Sequence, residues 1–240
     1  MSLAFKLASI AGAALALAAS PAPADERSEF WPEFDAYFKL SERTRLFLSA
    51  AAARAEETQI EGGRTQYEDV QLGVNLDVTL TPVFRPDLVQ GDWQRNRYLW
   101  MRVGLRYGTS VGNTDAGYHE MRGILELTSR TPPLAGGLEF VARARWEARD
   151  VDGSYSNRYR LRLQVEKSMQ VAGHTVVPFV NAETFYDTRF DTWNRQRYQL
   201  GAEVELNRTW RLEPSLIRQN DSRSQPAHID AFGLTLKYFH

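Results

Sequence analysis

The 240-residue chain contains no cysteine. That excludes disulfides, thiolate zinc sites and thiol nucleophiles at once. It has only four histidines and no excess of either charge, with 29 basic against 30 acidic side chains. A nucleic-acid binder would show a basic surplus, so that class is set aside. Long apolar runs are also missing beyond the first two dozen residues, and mean hydropathy is −0.44. No transmembrane helix is therefore expected past that point, but a barrel strand needs only roughly ten residues and spends half of them on its polar side.

The start of the chain is different. Lys6 precedes the apolar stretch "LASIAGAALALAA", and Ala22-Pro23-Ala24 forms a small-x-small site ahead of Asp25. This reads as a secretory signal peptide over residues 1–24, leaving 25–240 as one mature domain. An exported chain without disulfides must be held together by other means, and a closed hydrogen-bonded sheet would serve.

What fills the rest is strict alternation. In "VQLGVNLDVTL" the apolar set is Val70, Leu72, Val74, Leu76, Val78 and Leu80; the other parity carries Gln71, Gly73, Asn75, Asp77 and Thr79. A period of two marks a β-strand with one oily and one wet face. The same pattern recurs in segments 33–40, 45–52, 95–109, 118–129, 138–149, 157–167, 175–187, 195–206, 210–220 and 228–239, each bounded by turn formers. Compact connections (41–43, 131–137, 171–174, 207–209) alternate with longer polar ones (56–66, 109–117, 150–157, 187–194, 220–228), and only 81–94 breaks the rule. Short turns at one end and long loops at the other is the layout of an outer-membrane barrel.

Aromatic placement agrees. On the apolar parity, Tyr107, Trp146, Tyr159, Tyr198 and Phe232 lie near the long-loop ends, and Trp210 and Tyr238 near the short-turn ends. These are expected to form interfacial girdles. A soluble lipocalin-like barrel needs no such belts. The fold expected is all-β: an antiparallel up-and-down transmembrane β-barrel of ten to twelve strands, with Val70–Leu80 facing lipid. Even strand numbers are the rule for single-chain bacterial barrels, so ten or twelve is expected.

Three stretches, "FWPEFDAYFKLSERTRLFLS", "NRYRLRLQVEK" and "PFVNAETFYD", together with the polar-aromatic finish "AFGLTLKYFH", resemble an uncharacterised group of Gram-negative outer-membrane β-barrel proteins known only as a domain of unknown function. The resemblance implies a barrel in the outer membrane and no known activity. The finish also resembles the terminal signal by which such barrels are recognised for assembly, although His240 rather than an aromatic comes last. Outer-membrane lipids, the barrel-assembly machinery acting through the C-terminal strand and another envelope protein are the partners this implies; no cofactor is.

The wet parity carries a basic ladder of Arg143, Arg145, Arg149, Arg158, Arg160 and Arg162, with Glu147, Glu183 and Arg197 nearby. Consecutive hairpins are expected to set Glu147 opposite Arg160, Arg149 opposite Arg158 and Arg145 opposite Arg162, and to pair Arg106 with Glu120 across the preceding hairpin. Two readings stand: a salt-bridge plug filling a narrow lumen, or an anion-selective region. A lipid-modifying hydrolase is the rival class, and it needs a serine held by a base. No Gly-x-Ser-x-Gly elbow or metal-ligand spacing occurs, and Ser224 with His228 is the one loop pair near enough in sequence to weigh. No catalytic residue and no metal ligand is expected. The function expected is non-catalytic: a narrow polar-lumen scaffold, or a barrel for solute binding or passage.

Overall fold

The computed structural model describes residues 26–55, 67–84, 97–111, 119–223 and 227–240; the expected signal peptide lies outside them. Among the described residues twelve strands run in chain order: β1 (Glu26–Lys39), β2 (Thr44–Ala55), β3 (Tyr67–Thr79), β4 (Leu99–Ser110), β5 (His119–Arg130), β6 (Leu138–Val151), β7 (Ser154–Lys167), β8 (Met169–Val171), β9 (His174–Asp187), β10 (Thr192–Glu205), β11 (Trp210–Asp221) and β12 (His228–Phe239). A single helical turn, α1 (Thr81–Phe84), follows β3. β8 continues β7 in the same register against β9, with Glu166 opposite Phe179 and Met169 opposite Val176. The barrel therefore has eleven staves.

Each stave pairs antiparallel with its neighbour in sequence, except at the closure. There β1 lies parallel to β12 from Glu26 opposite His228 to Tyr37 opposite Phe239. This corrects the expectation of an even count. An up-and-down sheet with an odd number of staves begins at one rim and finishes at the other, so its first and last strands must meet parallel.

The staves are twelve to fourteen residues long, enough to cross a hydrocarbon core when tilted. The molecule is inside out. Leu72, Val74 and Leu76 are 56, 58 and 41% exposed, whereas Asn75 and Asp77 are buried. Leu105, Leu125, Leu161, Leu163, Val180 and Leu200 are exposed in the same way on their own strands. In water such a continuous apolar belt would cost heavily; in lipid it is the stable arrangement. The chain is an all-β transmembrane barrel, and Val70–Leu80 presents its oily parity outward.

Inside, the lumen is crowded. A side chain at Gly104 would collide with the Asn75 amide, and one at Gly201 with the Phe179 ring.

The turns depart from the expected asymmetry. Asp152–Gly153 is a two-residue hairpin with both φ positive (51° and 80°), and Ala172–Gly173 is another (51° and 85°). The expected long loops 150–157 and 187–194 therefore shrink, because strand pairing continues to Val151 opposite Ser154 and to Asp187 opposite Thr192. The longest connection, 80–98, sits at the rim where β12 ends. Connection length does not distinguish the two rims.

Candidate lumen site

Inward positions on β5 to β9 build a lattice of guanidinium and carboxylate groups. Glu147 has no exposed surface; it accepts from Arg160 Nη1 at 2.9 Å and Arg145 Nη1 at 3.5 Å. Arg160 also forks over Glu183, at 3.1 and 2.9 Å, while Arg143 Nη2 reaches the same carboxylate at 2.6 Å. Arg145 Nε donates to Glu126 at 2.6 Å. Nearer the rim where β6 and β7 turn, Glu120 holds both Arg122 and Arg149. Asp187 gathers Arg149 (2.7 Å), Arg158 (2.8 Å) and Arg189 (3.1 Å). Phe185, only 1% exposed, lies beneath the Arg160 guanidinium at 4.5 Å. Charged hydrogen bonds of this kind are strong where water is scarce, and each shared carboxylate locks two or three strands together.

Several sequence expectations are corrected by register. Arg145 lies opposite Arg160, Arg143 opposite Arg162, Glu147 opposite Arg158 and Arg149 opposite Ser156. The tight Asp152–Gly153 turn moves the pairing by two residues, which keeps every side chain on its face. Glu147 still meets Arg160, but diagonally. Arg106 lies opposite Arg122, and Glu120 opposite Gly108. The expected Arg106–Glu120 pair is therefore absent, and Arg106 makes only 3.5 Å contacts with Gln71 and Ser49. Arg197 donates to Gln219 at 3.1 and 2.5 Å and lies over Trp31.

Sequence reasoning missed a second cluster. Asp77, fully buried, is held by Arg45 (2.8 Å), Arg102 (2.6 Å) and Arg97 (3.3 Å). Beside it the inward rings of Phe239, Tyr37 and Phe47 stack at 4.8 and 4.7 Å centroid separations. Arg211 caps the stack on Phe239 at 4.5 Å and Arg102 on Phe47 at 4.0 Å. The signal for this row was present: Tyr37, Phe47 and Phe239 are large rings standing on the wet parity of their strands.

Between these clusters lies a lumen cavity of about 490 Å³. It runs from Arg106 and Arg145 at mid-lumen to Pro133, Ser168 and Glu205 at the rim where β12 finishes. That volume suits a small solute.

On the outer face the aromatics occupy both ends. Tyr107, Trp146, Tyr159, Tyr198 and Phe232 are exposed near one rim, joined by Trp193 and Tyr186, which contact each other at 5.7 Å. Near the other rim Trp210 packs on Tyr238 at 4.9 Å.

The histidines serve local contacts. His119 bonds Tyr107 Oη at 2.9 Å, His174 the Glu205 carbonyl at 3.0 Å and His228 the Asn220 amide oxygen at 2.9 Å. Ser224 lies outside the described residues. Among the described residues no group of three or more His, Asp or Glu side chains is placed to hold a metal ion.

The solved structures similar to the chain include the following two. One is LpxR from Salmonella typhimurium, at 11% identity and a TM-score of 0.49, covering 81% of this chain and 83% of that one. The other is the beta domain of the Bordetella autotransporter BrkA, at 14% identity and 0.48, covering 82% of each chain. No curated protein matches. A family model described as "Protein of unknown function (DUF2490)" matches residues 28–229, from the first stave to the last, and the chain belongs to that family.

Proposed function

We propose that this protein is an integral outer-membrane barrel without catalytic activity, whose lumen is closed at one rim by the charge lattice and receives a solute at the other. The observation that carries this is the burial of Glu147, Asp187 and Phe185 across the upper lumen, against the cavity that reaches the opposite rim. A conducting anion pore needs free guanidinium groups along an open path. Here Arg143, Arg145, Arg149, Arg158 and Arg160 each spend their charge on a carboxylate. With the C-terminal end of β12 on the periplasmic side, as recognition through that strand requires, the mouth faces the periplasm.

Planar-bilayer recording of the mature barrel tests the reading. Electrical silence in the wild type is expected, with conductance appearing when Arg160 and Arg149 are both replaced by alanine. Steady anion-selective conductance of the wild type would overturn it.

A further inference from the structure

The vestibule's charges do not all cancel locally. On the arc from β2 to β7, Asp77 pairs with Arg45, Arg97 and Arg102; Glu126 pairs with Arg145; and Glu139 and Glu166 pair with Arg130. On the facing arc, Glu203 and Glu213 share Lys237, and Arg211 joins Glu203. Some lining groups stand apart from this pairing. Arg106 and Arg162 have no carboxylate within 4.0 Å among the described residues, and the Nε of each is buried without a hydrogen-bond partner. Among the described residues, Glu33 and Asp35, two apart on the inner face of β1, have no cationic group within that distance; Glu33 acts on Arg106 only across a longer gap. Asp35 is 7% exposed; one of its oxygens meets only the Tyr37 hydroxyl at 3.2 Å, and the other has no partner.

An unpaired carboxylate in such a place is costly, as is an unpaired guanidinium. The cost is recovered when something in the cavity supplies both missing partners. A simple anion would meet the arginines and be repelled by Glu33 and Asp35. A simple cation would face the opposite conflict. A molecule with a negative group at one end and an ammonium at the other satisfies both sides together.

We propose that the vestibule binds a zwitterionic ligand. Its carboxylate or phosphate lies toward Arg106 and Arg162, and its ammonium group toward Glu33 and Asp35. Arginine suits the first role because its planar fork matches either oxyanion. This inference deepens the solute-binding reading above and rests on it.

The test uses the detergent-folded mature barrel and calorimetric titration with three probes of one length: 4-aminobutanoate, butanoate and butylammonium. The zwitterion is expected to bind at least tenfold more tightly than either singly charged probe. Glu33→Gln combined with Asp35→Asn should reduce that preference over butanoate to near unity, and Arg106→Gln should do so over butylammonium. Equal binding of 4-aminobutanoate and butanoate would overturn the proposal in favour of a plain anion site, and no binding of any probe would overturn it outright. Comparing the three probes on the wild type decides the matter even if a variant fails to fold. Bilayer recording is read separately, so a conducting barrel that prefers the zwitterion would defeat the closed-lumen reading and leave the ligand class standing.

Discussion

Arg160 illustrates how a single side chain can tie three strands. It stands on β7, bonds Glu147 on β6 and Glu183 on β9, and covers Phe185. Arg145 and Arg143 remain beside those carboxylates, so Arg160→Ala leaves them underpaired rather than bare. Removing one member of a buried pair costs about 3–5 kcal/mol, and the remaining arginines should hold the loss to the lower end. The heat-modifiable gel shift of Arg160→Ala should occur at clearly lower temperature than in the wild type. Arg162→Ala, which deletes no ion pair among the described residues, should move it far less. Equal shifts for the two would show that the lattice contributes little to stability.

At the scale of elements, the closure between β1 and β12 is the most distinctive join. Parallel pairing is slightly weaker per residue than antiparallel pairing, and the seam is reinforced on its inner side. The Phe239–Tyr37–Phe47 stack crosses β12, β1 and β2, with arginines at both ends. Each such ring pair adds about 0.5–1.5 kcal/mol beyond burial. Tyr37→Ala should therefore lower thermal stability more than Phe38→Ala, whose ring faces outward, when both are compared by heat-modifiable migration. Phe38→Ala matching or exceeding Tyr37→Ala would remove the stack's role. The register itself is testable because the chain has no cysteine of its own. Ser28 lies opposite Asp230 near the rim, so Ser28→Cys with Asp230→Cys should oxidise to one internal disulfide in the folded barrel. Ser28→Cys paired with Leu216→Cys, one strand further on, should not. Failure of the first pair to cross-link in folded protein would contradict the parallel closure.

For the whole molecule, eleven staves place the two ends of the barrel chain at opposite rims. On the orientation proposed above, with His240 on the periplasmic side, a tag ahead of Glu26 should be cut by protease added to intact cells, and one after His240 should be protected. Protection of both tags would point to an even count. The apolar belt makes a second demand on the molecule. Denatured chain diluted into detergent micelles should recover the heat-modifiable form, whereas dilution into plain buffer should give aggregate, since Leu72, Val74, Leu105 and Leu163 would then face water.

Alternation along the chain was enough to determine strand and face, and the aromatic girdles added the membrane. Val70–Leu80 reads as a stave with one oily side, and the aromatic girdles on the apolar parity turn that side towards lipid. Residues 26–32 and the exact strand ends were less legible, as was α1, because short irregular segments carry no period. Register was not legible either, for a physical reason. Alternation repeats every two residues, so a slip of two leaves every side chain on its own face. The expected pairings of Arg106 with Glu120 and of Glu147 with Arg160 were both displaced by such a slip, and the turn geometry at Asp152–Gly153 decided the second. The alternating segments already number eleven, and only the even-number rule pointed to ten or twelve; the parallel seam that an odd count requires is recorded by no local pattern. Whether the arginines form a plug or a path belongs to the tertiary structure as well. The carboxylates that answer Arg143, Arg145 and Arg160 come from β5, β6 and β9, and the register of these neighbouring staves brings them within 3 Å.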